Sequence, residues 1–270
     1  MKKYSIKDKL FSHAFSSCDW ERPTYFEWSF NDIVTDFIFL TDYDLLNVDL
    51  YGDIKKYAWL VESPEITPMS YKFVFDNHNK FDKIFTFDKS ILDTTNNSHI
   101  TPYGGCWIKP IDRGTHFDKK CKMVSMVSSG KMMTTGHRLR KDVIDKFGNN
   151  IDLYGRAYKY IDNKIESLLD YKFQIVIENT KRDYYFTEKL IDCLQTGVIP
   201  IYWGCPSIGN FFDINGVLTF ETESELSNIL NSLSDNLYLD KVESIKNNFE
   251  LSKNYLIAED YIYLNYNNII

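Results

Sequence analysis

The chain has 270 residues, of which 44% are hydrophobic and 26% charged, and its formal charge at pH 7 is −7. At about 100–200 residues per domain this allows one or two domains with well-filled cores, and it excludes a wholly disordered or fibrous chain. The acidic balance also argues against a general nucleic-acid binder, which needs a basic face for phosphates, while leaving room for a local basic pocket that takes one small anion.

Five cysteines (18, 106, 121, 193, 205) are widely spaced without a CxxC pair, and the five histidines show no HxxxH or HExxH spacing. Neither a disulfide framework nor a zinc site is expected, and a reducing compartment is the simplest reading. The basic start MKKYSIKDKLF is not followed by an apolar run, so it does not read as a signal peptide. No stretch approaches the ~20 apolar residues of a membrane span. A soluble, cytoplasmic protein is expected.

In chain order, residues 1–55 are aromatic and acidic with weak periodicity, and within them 33–40 (IVTDFIFL) reads as a buried strand. Asp42-Tyr43-Asp44 has the form of a metal-binding Asp-x-Asp but reads as a surface turn. The run 56–61 (KYAWLV) is a strand stopped by Glu62-Ser63-Pro64-Glu65, where proline ends pairing, and 81–87 (FDKIFTF) is another. Residues 93–98 and 101–106 are loop chemistry, and 109–120 reads as the linker between two domains.

The second half is more regular. Strands are expected at 122–128, 152–155, 173–177 and 198–203, and helices at 136–147, 164–171 and 187–194, with Gly197 as a helix stop. Further helices follow from 221 onward. Continuous apolar strands separated by helices predict a parallel sheet covered on both faces, hence an α/β protein.

Parallel sheets bind ligands at the carboxyl ends of their strands. Glu178-Asn179-Thr180 lies there, as do Tyr185, Thr187, Glu188 and Lys189 at the start of the next helix and Tyr202-Trp203-Gly204 after the following strand. A helix N-terminus with an adjacent lysine suits a diphosphate, Glu188 can accept from sugar hydroxyls, and Arg138 and Arg140 can reach the same crevice. The same residues also read as a well-capped helix start and a solvated helix face. His13 and His137 are weaker candidates for substrate contact, and Trp20, Trp28 and Trp59 for stacking on sugar rings.

Residues 171–217, YKFQIVIENTKRDYYFTEKLIDCLQTGVIPIYWGCPSIGNFFDINGV, closely resemble the donor-binding signature of the α-1,3-fucosyltransferases of glycosyltransferase family 10. In that family a strand ending in Phe-Glu-Asn-Ser leads to Tyr-Val-Thr-Glu-Lys, a helix, and Pro-(Ile/Val)-Tyr-Trp-Gly. Weaker matches follow the family order upstream: Glu62-Ser63-Pro64, Pro102-Tyr103-Gly104, Val127-Ser128-Ser129 before Arg140, and Asp152 to Arg156.

The resemblance implies a GT-B architecture, with two Rossmann-like domains facing each other across a cleft. Residues 1–115 would bind the acceptor, 116–250 the donor, and 251–270 would form a C-terminal helical segment. The activity implied is inverting transfer of L-fucose from GDP-β-L-fucose to a glycan hydroxyl, α-1,3 to an N-acetylglucosamine-type sugar, without a metal or other cofactor. The partners implied are thus a nucleotide sugar and a glycan, with no nucleic acid. Arg140, with Arg138 close behind, and Tyr185, Thr187, Glu188 and Lys189 would bind diphosphate and fucose, with Glu178 and Asn179 nearby. The family's general base is expected two residues before Glu-Ser-Pro, where this chain has Leu60. Glu62 and Glu65 are therefore the catalytic candidates. A transferase of the same fold using another nucleotide sugar, and an inactive carbohydrate-binding homologue, remain alternatives. Without the membrane anchor of the family's animal members, a bacterial or viral soluble form is expected.

Overall fold

The structure, a computed structural model, describes residues 1–9, 16–18, 20–30, 32–114, 117 and 119–270. Two all-parallel sheets carry the fold. The first is built from β1 (Lys2–Lys7), β2 (Phe26–Ser29), β3 (Phe37–Thr41), β4 (Lys55–Trp59), β5 (Lys83–Thr86) and β6 (Ser98–Ile100), in the order β2-β1-β3-β4-β5-β6. The second is built from β7 (Lys122–Val127), β8 (Asp152–Tyr154), β9 (Tyr171–Ile177), β10 (Ile199–Trp203) and β11 (Leu218–Thr219), in the order β11-β10-β9-β7-β8. Helices α1 (Pro68–Asp76) and α2 (Lys89–Thr94) belong to the first half. Helices α3 (Thr135–Phe147), α4 (Glu188–Gln195), α5 (Glu223–Ser232), α6 (Asp235–Leu239), α7 (Val242–Ser252) and α8 (Ala258–Tyr266) follow.

The apolar runs explain the layering. Every residue of β9 and β10 is buried, as expected for parallel strands covered on both faces. On one side Phe173, Ile175 and Ile177 pack with Val143, Leu226 and Ile245 of α3, α5 and α7; on the other, Val176 packs with Leu190 and Leu194 of α4. The first sheet is sandwiched likewise. Ile38, Leu40, Ala58 and Ile84 face Tyr71 and Val74 of α1, while Phe39, Tyr57, Trp59 and Phe85 face Ala258 and Ile262 of α8.

The chain's last helix thus lies on the first sheet. Glu259, fully buried, accepts hydrogen bonds from Ser17 N (2.9 Å), Ser17 Oγ (2.7 Å) and Trp28 Nε1 (3.0 Å). Asp260 accepts from Thr24 N at 2.7 Å and Thr24 Oγ1 at 2.6 Å. These contacts fasten α8 to the first half of the chain, far away in sequence.

Local expectations mostly hold, with corrections. Gly197 ends the turn after α4 at φ +69°, in the left-handed region, and a Cβ there would lie 2.7 Å from the Phe117 ring. The expected helix over 164–171 is instead a 3-10 turn at Lys164–Ser167, and Tyr171 already starts β9. Here tertiary pairing wins over helical propensity: Lys164 reaches down to the buried Asp192 of α4 (2.6 Å). Of the loop expected at 93–98, its ends are the close of α2 and the start of β6. Asp42 and Asp44 are not on a surface turn, being only 1% and 3% exposed in a 3-10 segment after β3. No helix among the described residues is long and apolar enough to cross a membrane.

Candidate active site

In the second sheet the strand order reverses at β7, which has β8 on one side and β9 on the other. Crevices form at such switch points, outside the carboxyl ends of the strands. The segments there are 128–134, leading into α3, and 178–187, leading into α4. Both face segments that follow strands of the first sheet, and Gly104 N donates to Phe186 O across the divide (3.1 Å).

Glu178 organises the α4 side. Its fully buried carboxylate accepts from Thr187 N (2.9 Å) and Thr187 Oγ1 (2.7 Å), which folds the connecting loop back so that α4 begins over the end of β9. Burial pushes this carboxyl up, against the opposing pull of Lys189. Thr187 is the N-cap of α4. Lys189 Nζ lies 3.0 Å from Glu188 Oε1, 3.1 Å from Thr187 Oγ1 and 3.9 Å from Glu178 Oε2. Burial would raise Glu188, but Lys189 and Lys164, with hydrogen bonds from Lys189 and Thr187, outweigh it and hold the carboxyl at about 2. Glu188 is thus a fixed anion at the mouth of the helix.

Helix α3 meets the same point. Its N-terminal turn packs so tightly on the end of β9 that a Cβ on Gly136 would sit 1.7 Å from Glu178 O. Thr134 caps it in a reciprocal box with His137, whose Nδ1 lies 2.8 Å from Thr134 Oγ1. Arg140 is buried, donates Nε to Ile177 O (2.9 Å), and through its Nη2 reaches Ile177 O and Asn179 Oδ1 (3.1 Å). It buckles α3 to the end of β9 and orients Asn179. Arg138 is exposed, with Nη2 4.0 Å from Glu65 Oε2.

From the first sheet come the two candidate carboxylates. Glu65 Oε1 accepts from Thr180 Oγ1 (2.7 Å), and Oε2 accepts from Thr135 N (2.6 Å) and Thr135 Oγ1 (2.9 Å). Burial acts to raise its carboxyl, but these bonds and Arg138 hold it below the usual range. Glu65 is an interdomain clamp on the N-terminus of α3. Glu62 is different. Burial above all raises its carboxyl; Lys189, the Ser63 amide and Lys131 pull against that, and Glu188 adds to it.

Tyr185 lies in the first domain's core, its ring 4.6 Å from Phe87. Leu60, where the resemblance would put an acid, is a buried core residue. Trp28 and Trp59 are buried in the first core, whereas Trp20 is half-exposed and donates to Trp107 O. His13 falls outside the described residues. The sequence reading missed Lys131, whose charge is felt by both Glu62 and His137; the signal was its place in the loop after β7, at the switch point. It also set Asp42 aside as part of a surface turn, whereas the residue is buried. No group of three or more His, Cys, Asp or Glu among the described residues is arranged to hold a metal ion.

Two parallel-sheet domains whose strand ends face each other, with the capped start of α4 at their junction, have the GT-B fold. Residues 117–261, more than half of the chain, match the family profile described as Glycosyltransferase family 10 (fucosyltransferase) C-term. The chain belongs to that family. It is 33% identical over 111 residues to an alpha-(1,3)-fucosyltransferase FucT of Helicobacter pylori, covering 39% of this chain and 22% of that protein. It is 38% identical over 106 residues to alpha-(1,3)-fucosyltransferase B of Drosophila melanogaster, covering 34% and 24%. The chain thus spans less than a quarter of the length of either relative. Its fold is that of a crystal structure of an alpha1,3-fucosyltransferase with GDP-fucose, at a TM-score of 0.59 and 19% identity over 94% of this chain and 90% of that one.

Proposed function

We propose that the chain transfers L-fucose from GDP-β-L-fucose, with inversion and without a metal, to a hydroxyl of a glycan acceptor, in α-1,3 linkage to an N-acetylglucosamine-type sugar. The observation that carries this reading is the Thr187-Glu188-Lys189 helix start at the end of the second sheet, brought against the first domain by the Gly104 N–Phe186 O bond and by the contacts of Glu65 with Thr135 and Thr180. Family membership and the GDP-fucose held by the fold neighbour support it.

In this reading the diphosphate lies against the start of α4. As the bond from the anomeric carbon to GDP breaks, charge grows on the diphosphate oxygens. Lys189, Lys131 and the α4 terminus stabilise that charge. Arg140 keeps α3 and Asn179 in place around it. Glu188, ionised throughout, accepts hydrogen bonds from sugar hydroxyls. The acceptor hydroxyl attacks from the opposite face, which produces inversion, and Glu62 takes its proton. A carboxylate raised by burial is better suited to that task than Glu65, whose oxygens already accept three hydrogen bonds.

Calorimetric titration with GDP, UDP and GDP-fucose in EDTA tests the reading. GDP and GDP-fucose bind and UDP does not. Binding of UDP instead assigns another nucleotide sugar to the same fold. Binding of GDP-fucose without GDP release, across a panel of acceptors and in water, makes the chain a silent homologue.

A further inference from the structure

In the first sheet the strand order reverses at β1, which lies between β2 and β3. The residue directly after β3 is Asp42, and the reaction scheme above leaves it without a role. Its backbone is one of two non-glycine residues at positive φ among the described residues, at φ +38°. Aspartate tolerates that region better than most residues, yet such strain persists only where the surroundings impose it. Here it turns the side chain inward, to 1% exposure, beneath the turn that follows β4.

There Asp42 Oδ1 accepts from Val61 N (3.1 Å) and Glu62 N (3.3 Å), and Oδ2 from Glu62 N (3.2 Å). From the other side Tyr71 Oη donates to Glu62 O at 2.6 Å. Both faces of the Glu62 backbone are therefore held. The charged groups facing Asp42 are Glu62 and Asp8, the latter joined to Thr41 Oγ1 at the end of β3. Burial first, then Glu62, pushes the Asp42 carboxyl up to about 8.

We propose that Asp42 is a positioning residue for the transfer step: by gripping the Val61 and Glu62 amides, it fixes the turn that aims the Glu62 carboxylate at the acceptor hydroxyl. The inference rests on Glu62 being the general base.

The test uses the full chain and measures GDP release from GDP-fucose, with N-acetyllactosamine or water as acceptor, alongside GDP affinity by calorimetry. Asp42→Ala lowers kcat ~10–100-fold, as expected for a reacting group displaced by a fraction of an ångström to an ångström, with GDP affinity unchanged because the donor side is untouched. Asp42→Asn tolerates the left-handed backbone and keeps one oxygen for the amides, so it returns kcat to within about three-fold of the parent, roughly the loss of part of one hydrogen bond. Added to Glu62→Gln, Asp42→Ala causes no further loss. An active Glu62→Gln enzyme overturns the general-base reading itself. An inactive Glu62→Gln together with a fully active Asp42→Ala overturns only the role of Asp42. If Asp42→Ala does not fold, Asp42→Asn decides: a rate loss in it as deep as that of Glu62→Gln shows that the grip on the amides is not what matters.

Discussion

The two sides of the cleft are built on opposite plans. On the second domain's side the polar groups are locked to one another: Glu178 to the cap residue Thr187, Lys189 to Glu188, Arg140 to the carbonyl that ends β9. On the first domain's side the restraint falls on the backbone of the Glu62 turn, through Asp42 and Tyr71, and burial tunes the carboxyl itself. The difference fits two tasks. A diphosphate of fixed shape is best met by charges that do not rearrange as it departs. A base must change protonation state, so what has to be fixed is its aim, while its affinity for a proton is set by its surroundings. Glu65, reaching from the first domain onto the α3 terminus, sets the distance between the two plans.

Substitutions separate the two sides. The largest effect is expected at the proposed base: Glu62→Gln lowers the transfer rate by ~10²–10⁴ and leaves GDP affinity unchanged, since the proposed nucleotide seat is on the second domain. A fall in GDP affinity of the same size would erase the division of labour. Next comes Lys189→Ala, which weakens GDP binding by an order of magnitude or more, the ~1.5–3 kcal/mol of a charge-assisted contact. It also frees Glu188 and Glu178 from their counter-charge, so part of the loss is repulsion between those carboxylates and the diphosphate. Calorimetry against ionic strength sharpens this: the deficit shrinks as salt screens the carboxylates. Unchanged affinity would move the anion seat to α3 and Lys131.

The same asymmetry governs what could be read from the sequence. The second sheet announces itself because its central strands are unbroken apolar runs and its helices carry caps and stops. In the first half, β1 (KKYSIK) buries only its centre and β2 has four residues, so neither gives a periodic signal. That α8 belongs to the first sheet is invisible in sequence, because an apolar helix face does not say which sheet covers it. The site residues near 178–189 were legible through their place after a strand and before a helix. What they touch was not: Tyr185 reads as a ligand contact and instead packs against Phe87, while Glu65 reads as a catalytic acid and is a clamp. Asp42 reads as an exposed acid, for only the fold brings the amides of residues 61 and 62 onto it.

A smaller effect tests whether the second side is locked even in its caps. His137 serves as the third helical residue of α3, and its Nδ1 accepts from the Thr134 cap only while the ring is neutral. Burial, then Arg140, Lys131 and Lys189, bring its pKa from 6.5 down to about 4. Between those values the unfolded chain binds a proton that the folded chain does not, so this residue makes stability rise with pH through that window and fall as the solution is acidified. Glutamine at the same position can complete the capping box without titrating. Urea unfolding of His137→Gln is therefore expected to show a smaller difference between pH 7 and pH 5 than the parent chain, with little change at pH 7. An equal difference in both proteins would mean that His137 is protonated in the fold at pH 5, and that the α3 start yields to charge where the structure depicts it as fixed.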